Sequence, residues 1–146
     1  MLSKPVPAWI LLGAFVLTTI AGSINAVGFM GLHHQALSHM SGTATILSTD
    51  LSIGKYGAAL HAGLVLLFFF FGCVLSGVII RRQTLRIGPR YGIALIIESA
   101  LLFAAASLLL QSNYFGDYLA AMACGLQNAM ATTYSGAIIR STHITG

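Results

Sequence analysis

The stretch from residue 57 to residue 82 reads GAALHAGLVLLFFFFGCVLSGVIIRR, and it decides the class of the fold. From Gly57 to Ile80 it carries no Asp, Glu, Lys or Arg, and Leu64 to Phe71 is entirely hydrophobic. A helix needs about 20 apolar residues to cross the hydrocarbon core of a bilayer. This run is therefore predicted to span a membrane and to end at Arg81-Arg82.

The composition of the whole chain is also typical of a membrane protein. Of its 146 residues, 57% are hydrophobic and 7% are charged, whereas about a quarter of the residues of a soluble domain are charged. This excludes an ordinary soluble enzyme. The formal net charge is +4, but the basic residues form no stripe interleaved with aromatics, so no nucleic-acid partner is expected.

Three further long apolar runs are Ala8–Met30, Tyr91–Leu110 and Tyr118–Ile139. The segment Gly31–Tyr56 is more polar, and it fits either a polar spanning helix or a re-entrant one, with Thr43 to Ile53 as its short apolar part. We therefore expect an all-α transmembrane helix bundle of four full spans plus one short polar or re-entrant helix. It forms a single membrane domain over residues 1–146.

The basic residues orient this bundle. Arg81, Arg82, Arg86 and Arg90 share one short loop, which the positive-inside rule assigns to the cytoplasm. The loop from Gln111 to Asp117 has no Lys or Arg and is predicted to lie outside. A signal peptide is the competing interpretation of the first run. It is disfavoured because the run continues past the small residues at 21–23 and further apolar runs follow.

Two related stretches indicate an internal repeat. Residues 21–26 read AGSINA and precede SHMSG at 38–42, while residues 124–129 read CGLQNA and precede THITG at 142–146. We interpret residues 8–80 as copy one, 91–110 as a linking helix and 117–146 as the start of copy two. The second copy ends where the first continues into a helix, so the chain is expected to be truncated.

The stretches AGSINAVGF, SHMSGTATIL and GLQNAMATTYSGAIIRSTHITG resemble the two signature regions of the YoaK family, the domain of unknown function 1275. The resemblance covers most of the chain, keeps the order of the motifs and places the arginine-rich loop between them. It implies a multi-pass protein of the bacterial inner membrane without an established substrate or reaction. It also implies C-terminal truncation, because family members are usually longer.

Asn25 and Asn128 are amides inside apolar helices, where an unpaired polar group costs several kcal/mol. One interpretation is an interhelical hydrogen bond, favoured by the small residues beside each amide, Gly22 with Ala26 and Gly125 with Ala129. The other is contact with a ligand in the bundle interior.

The His-containing elements resemble helix starts, with Ser38 or Thr142 as the candidate N-cap. Backbone N–H groups at a helix start favour an anion or a carbonyl group, and such starts form the sites of secondary transporters at repeat interfaces. The alternative is that each His packs locally. The predicted site for a small polar solute comprises Asn25, Ser38, His39, Ser41, Asn128, Thr142, His143 and Thr145.

Glu98 lies eight residues into its apolar run, close to the middle of the membrane, and is the candidate proton site. The alternative is a hydrogen-bonded interior residue, and His61 is most simply interfacial. His33, His34 and His39 have no carboxylate or thiolate close by in sequence, so we expect no metal. No catalytic or cofactor motif is present, so we expect neither an enzyme nor a cofactor.

These features favour a small-solute transporter or permease-like protein with its site at the repeat interface. The alternative is a non-transporting structural or assembly protein, in which the repeated Asn and His elements only hold helices together. The lipid bilayer is the expected partner, with a small polar solute and a second copy of the chain as further candidates.

The side of the membrane on which the N-terminus lies depends on the segment 31–56. If the segment 31–56 is re-entrant, Lys4 lies in the cytoplasm and the two repeat copies run in opposite directions through the membrane; Lys4 favours this arrangement. A reporter fused at the N-terminus is therefore expected to give a cytoplasmic signal. An outside signal would exclude inverted repeats and make the segment a full span.

Overall fold

The computed structural model describes residues 8–30, 37–80 and 89–134, and in these residues the chain is all-helical with no strand. Its five helices are α1 (Ala8–Met30), α2 (Met40–Ser52), α3 (Tyr56–Ile80), α4 (Pro89–Leu110) and α5 (Phe115–Tyr134). The bounds of α1 coincide with those of the first predicted run. Helices α3 and α4 each begin within two residues of the start of the corresponding predicted run. The predicted all-α class is confirmed.

Three of the described helices are long and apolar enough to cross a membrane, over Leu11–Met30, Tyr56–Ile80 and Pro89–Leu110. Helix α2 has 13 residues and is about 20 Å long, too short to cross a core of about 30 Å. Over its described residues, helix α5 is not among the helices that are long and apolar enough to cross a membrane. Its predicted run continued to Ile139, outside the described part, so the fourth span stays a prediction.

Helix α5 is the centre of the bundle. It contacts α3 most extensively, then α4, and α1 over a smaller area. Nearly every side chain from Ala120 to Ala131 is buried or half-buried. Because α5 is enclosed by protein rather than by lipid, it can carry polar side chains that an isolated span could not.

Helices α3 and α5 come closest at Gly72 and Gly125. A Cβ atom at Gly72 would overlap the backbone oxygen of Met122, and one at Gly125 would overlap the backbone oxygen of Phe69. The Cys73 thiol donates a hydrogen bond to the Gly125 carbonyl, with 3.3 Å between Sγ and the oxygen. The two backbones are thus in direct contact, as small residues permit between membrane helices.

Two groups of buried side chains hold the bundle together. The first consists of Leu37, Met40, Val65, Phe69, Ala105, Ala120, Ala121 and Cys124. The second consists of Ile80, Tyr91, Ala94, Leu126 and Met130. The first group joins the start of α2 to α3, α4 and α5, so α2 begins inside the bundle rather than at its rim.

Helix α1 is the most loosely packed of the apolar helices. Of its described residues only Ala21 and Gly28 are buried, and Leu12, Phe15 and Met30 are largely exposed. In a membrane these side chains face lipid, which an apolar helix tolerates without cost.

The close contact of α3 and α5 generates a stability prediction. Gly125→Ala is expected to destabilise the bundle by about 3 kcal/mol, because the new methyl group meets backbone atoms that cannot rotate away. The measurement is thermal unfolding of the purified chain in detergent, followed by circular dichroism.

Gly77→Ala is the matched control on α3. The space around Gly77 is open among the described residues, so this change should be neutral or slightly stabilising. Equal melting temperatures for the two variants would contradict the direct backbone contact.

Candidate functional site

Asn25 and Ser38, two of the predicted site residues, meet where α2 begins. The Ser38 backbone N–H donates to Asn25 Oδ1 over 3.3 Å. Ser38 is buried. The N-cap of α2 is His39 rather than the predicted Ser38, because the helix begins one residue later, at Met40; the His39 side chain is exposed and makes no capping hydrogen bond. Asn25 therefore connects α1 to the start of α2, and it does so through its side-chain oxygen.

The start of α2 lies well inside the bundle. Its neighbours Leu37 and Met40 belong to the buried group that contains Phe69 and Cys124. Phe69 is 13 residues from the start of α3 and Cys124 is 9 residues from the start of α5, distances of about 20 and about 14 Å along these helices. The N-terminal N–H groups of α2, with their partial positive charge, thus lie near the middle of the bundle.

A second polar element lies between α4 and α5. Gln127 Nε2 donates to Glu98 Oε1 over 2.8 Å, and Glu98 is 5% exposed and Gln127 1%. Among the described residues, Glu98 Oε2 and Gln127 Oε1 are buried without a hydrogen-bond partner. Unsatisfied buried groups cost about 1–3 kcal/mol each, so the free energy of this site depends strongly on what reaches these two oxygens.

The start of α2 and the Glu98–Gln127 pair lie at neighbouring levels of the bundle. Cys124, which packs in the same group as Leu37 at the start of α2, precedes Gln127 by three residues, or about 5 Å along α5. Asn128 directly follows Gln127 and is buried. Asn128 and the start of α2, which the repeat hypothesis assigns to different copies, are therefore present at similar depth.

Ser76 is a third buried polar group at this level. Its hydroxyl oxygen has no hydrogen-bond partner among the described residues. It lies one turn before Ile80, which packs with Ala94 and Leu126. Ala94 is one turn before Glu98, and Leu126 is next to Gln127.

A separate polar cluster connects the second turn of α3 to the first turn of α5. His61 Nδ1 and the Tyr118 hydroxyl are 2.9 Å apart, and His61 Nε2 lies 3.4 Å from Asp117 Oδ2. The ring centroids of Tyr114 and Tyr118 are each 5.2 Å from that of His61. His61 is therefore held by protein partners near the helix ends, and Asp117 also complements the positive N-terminus of α5.

The predicted site residues have different outcomes. Asn25 and Ser38 are in contact, Ser41 lies in the first turn of α2, and Asn128 is buried in α5. The other three predicted site residues, Thr142, His143 and Thr145, lie outside the described residues. Whether the second His element meets the first therefore stays a prediction.

Three polar features of the bundle were not predicted from the sequence: the Gln127 amide, the Ser76 hydroxyl and the contact of His61 with Asp117. Gln127 carries the same signal as Asn128, an amide inside an apolar run, and could have been selected by the same argument. Ser76 carries little signal, because serine is common in membrane helices. The contact of His61 with Asp117 needs the packing of two distant helices.

Metal chemistry finds no support in the described ranges. No three His, Cys, Asp or Glu side chains come together there in a way that could hold an ion. His33 and His34 lie outside those ranges.

Three described helices that are long and apolar enough to cross a membrane, packed with α5 around an enclosed polar pair, are typical of a polytopic membrane protein. The chain belongs to the DUF1275 family, described as proteins of unknown function, whose family model matches residues 13–146. The match covers nearly the whole chain and confirms the family that the motifs indicate. No curated protein and no solved structure matches the chain significantly.

The Glu98–Gln127 contact can be measured by a double-mutant cycle. Glu98→Ala, Gln127→Ala and the double variant are expected to give a coupling energy of about 1–3 kcal/mol, because each single change leaves the other buried group without its partner. The measurement is unfolding of the purified chain in detergent.

Glu98→Gln is the conservative control for this cycle. Its side-chain oxygen can still accept from Gln127 Nε2, so its stability should stay within about 1 kcal/mol of wild type. Additive effects of the two alanine variants would show that the pair contributes no coupling.

Proposed function

We propose that the chain is a multi-pass protein of the bacterial cytoplasmic membrane that binds and moves a small polar solute. The observation that supports this most is the start of α2 inside the bundle, held by the Asn25–Ser38 hydrogen bond. Secondary transporters use helix starts near the midplane to bind anionic substrate groups. Helix breaks at that depth are tolerated where protein or a water-filled cavity surrounds them.

The chemistry of this helix start suggests what the solute carries. The N–H groups in the first turn of α2 favour a carboxylate or a carbonyl oxygen. His39, exposed beside them, can donate or accept a hydrogen bond. Under the repeat hypothesis, Thr142, His143 and Thr145 supply a second such start, and Asn128 lies at the interface between them.

The short length of α2 supports a re-entrant rather than a spanning segment. Its 13 residues end at Ser52, and a short turn leads into α3. Helix α2 thus runs from the bundle interior to the end of the bundle at which α3 begins. This favours a cytoplasmic N-terminus and inverted repeats.

The second candidate function is structural, and the Asn25–Ser38 bond also favours it. This bond holds α1 and α2 together, which is what an assembly protein without a substrate would need. The two functions differ in what they require of His39. Its side chain makes no capping bond and is exposed, so only solute binding requires its imidazole.

His39→Gln separates the two candidate functions. In liposomes containing the purified chain, we expect uptake of at least one labelled solute from a panel of small carboxylates, amino acids and amides. His39→Gln should lower this uptake about tenfold, the equivalent of one lost hydrogen bond of about 1.4 kcal/mol. Its stability should stay within about 0.5 kcal/mol of wild type, as is usual for an exposed position.

Thr49→Val is the matched control, because Thr49 is exposed on α2 and its hydroxyl bonds only its own helix, at the Thr45 carbonyl. It should change neither uptake nor stability. Unchanged uptake in His39→Gln together with a lower melting temperature would contradict the transport proposal. So would a wild-type chain that takes up no solute of the panel.

A further inference from the structure

We propose that Glu98 and Gln127 form a proton-binding site, in which a proton on Glu98 Oε2 closes a cyclic acid–amide pair between α4 and α5. The proposal rests on the geometry of these two side chains and does not require that the protein moves a solute. It gives Gln127 a role: its amide makes one hydrogen bond to the ionised carboxyl group and a second one when the group is protonated.

The donors and acceptors of the pair do not balance without this proton. An ionised carboxylate only accepts hydrogen bonds, and a glutamine amide oxygen only accepts. The Gln127 NH2 group already donates to Glu98 Oε1 at 2.8 Å. Glu98 Oε2 and Gln127 Oε1 then remain as two buried acceptors with no donor among the described residues.

One proton supplies what both oxygens lack. When Oε2 is protonated it becomes a donor, and its natural acceptor is Gln127 Oε1 on the same amide that already donates to Oε1. A rotation about the terminal torsions of the two side chains closes this second bond, and these torsions are broad. In the step, an O–H bond forms at Oε2, a hydronium ion of the bulk solvent gives up the proton and becomes water, and the charge of the site changes from −1 to zero.

The surroundings of the pair favour the neutral form. Helix α4 packs against α5 and α3, and the nearest titratable side chains along these helices are Tyr91, Cys124 and Cys73. All three are neutral in their protonated form. Arg90, the one basic residue in the described part of α4, precedes Glu98 by eight residues, or about 12 Å.

The remaining charged or ionisable groups of the described residues lie on other turns. They are His39, Asp50, Lys55, Tyr56, His61, Tyr114, Asp117 and Tyr118. A carboxylate buried without a cation beside it is strongly disfavoured. A metal cation is a poorer occupant than a proton, because hard cations take about six oxygen ligands and the pair offers two unpaired oxygens.

Infrared difference spectroscopy of the purified chain in lipid tests the site directly. At pH 7 we expect one protonated carboxylic acid per chain, seen as its carbonyl band, whereas a water-exposed glutamate is ionised at this pH. Glu98→Gln should remove the band completely. Gln127→Met should keep it but move it to higher frequency, because the acid loses its amide partner.

Asp50→Asn is the control, since Asp50 lies on α2, away from the pair, and the band should not change. The proposal is overturned if the band survives Glu98→Gln, if Gln127→Met leaves its frequency unchanged, or if wild type has no band at pH 7. Loss of the band on adding sodium at constant pH would assign the site to a cation instead. Solute uptake measured on the same samples is a separate readout, so absence of uptake beside a normal band contradicts only the transport proposal.

Discussion

The contact of the α3 and α5 backbones at Gly72 and Gly125 is the constraint on which the rest of the bundle depends. Apolar side chains gain nothing by leaving lipid for one another, so helices in a membrane associate through close packing and hydrogen bonds. Direct backbone contact gives the densest packing available, and here the Cys73 thiol adds a hydrogen bond to the Gly125 carbonyl. It fixes both the distance and the rotation of α5 relative to α3.

That rotation determines which α5 side chains meet α4. Successive residues of a helix are about 100° apart around its axis, so Gln127 points about 200° away from Gly125. Because Gly125 is turned toward α3, Gln127 is turned to the opposite side, where Glu98 of α4 accepts its hydrogen bond. The polar pair therefore follows from the glycine contact, and a different rotation of α5 would turn the amide away from its partner.

The central position of α5 also explains why its described part is less apolar than α1, α3 and α4. The helix carries Asp117, Gln127 and Asn128 in its described part, and each of them is buried within the bundle. Hydropathy treats a helix as if lipid surrounded it, whereas α5 is surrounded by α3 and α4. A polar helix in the middle of a bundle and a soluble helix thus have similar compositions and different environments.

Much of the fold could be predicted from the sequence, because α1, α3 and α4 face lipid over much of their surface and must be apolar throughout. The depth at which α2 begins could not be predicted, since it depends on how Leu37 and Met40 pack against other helices. The site was predicted in part. Asn25 and Ser38 were selected by their position in the repeat, whereas the pairing of Glu98 with Gln127 depends on the rotation of two helices that local sequence does not specify.

The two stretches that predict the repeat, residues 21–26 and 124–129, differ in packing although their sequences correspond. Gly125 in α5 is in contact with the backbone of Phe69, whereas Gly22, its counterpart in α1, has no described heavy atom within 4 Å of a Cβ placed on it. The same spacing of small residues therefore accompanies direct backbone contact in one stretch and an open face in the other. Small residues allow two backbones to approach, but the approach also needs a partner such as α3, whose own Gly72 leaves room on the other side. The motif marks where close contact is sterically allowed, and the neighbouring helix decides whether that contact forms.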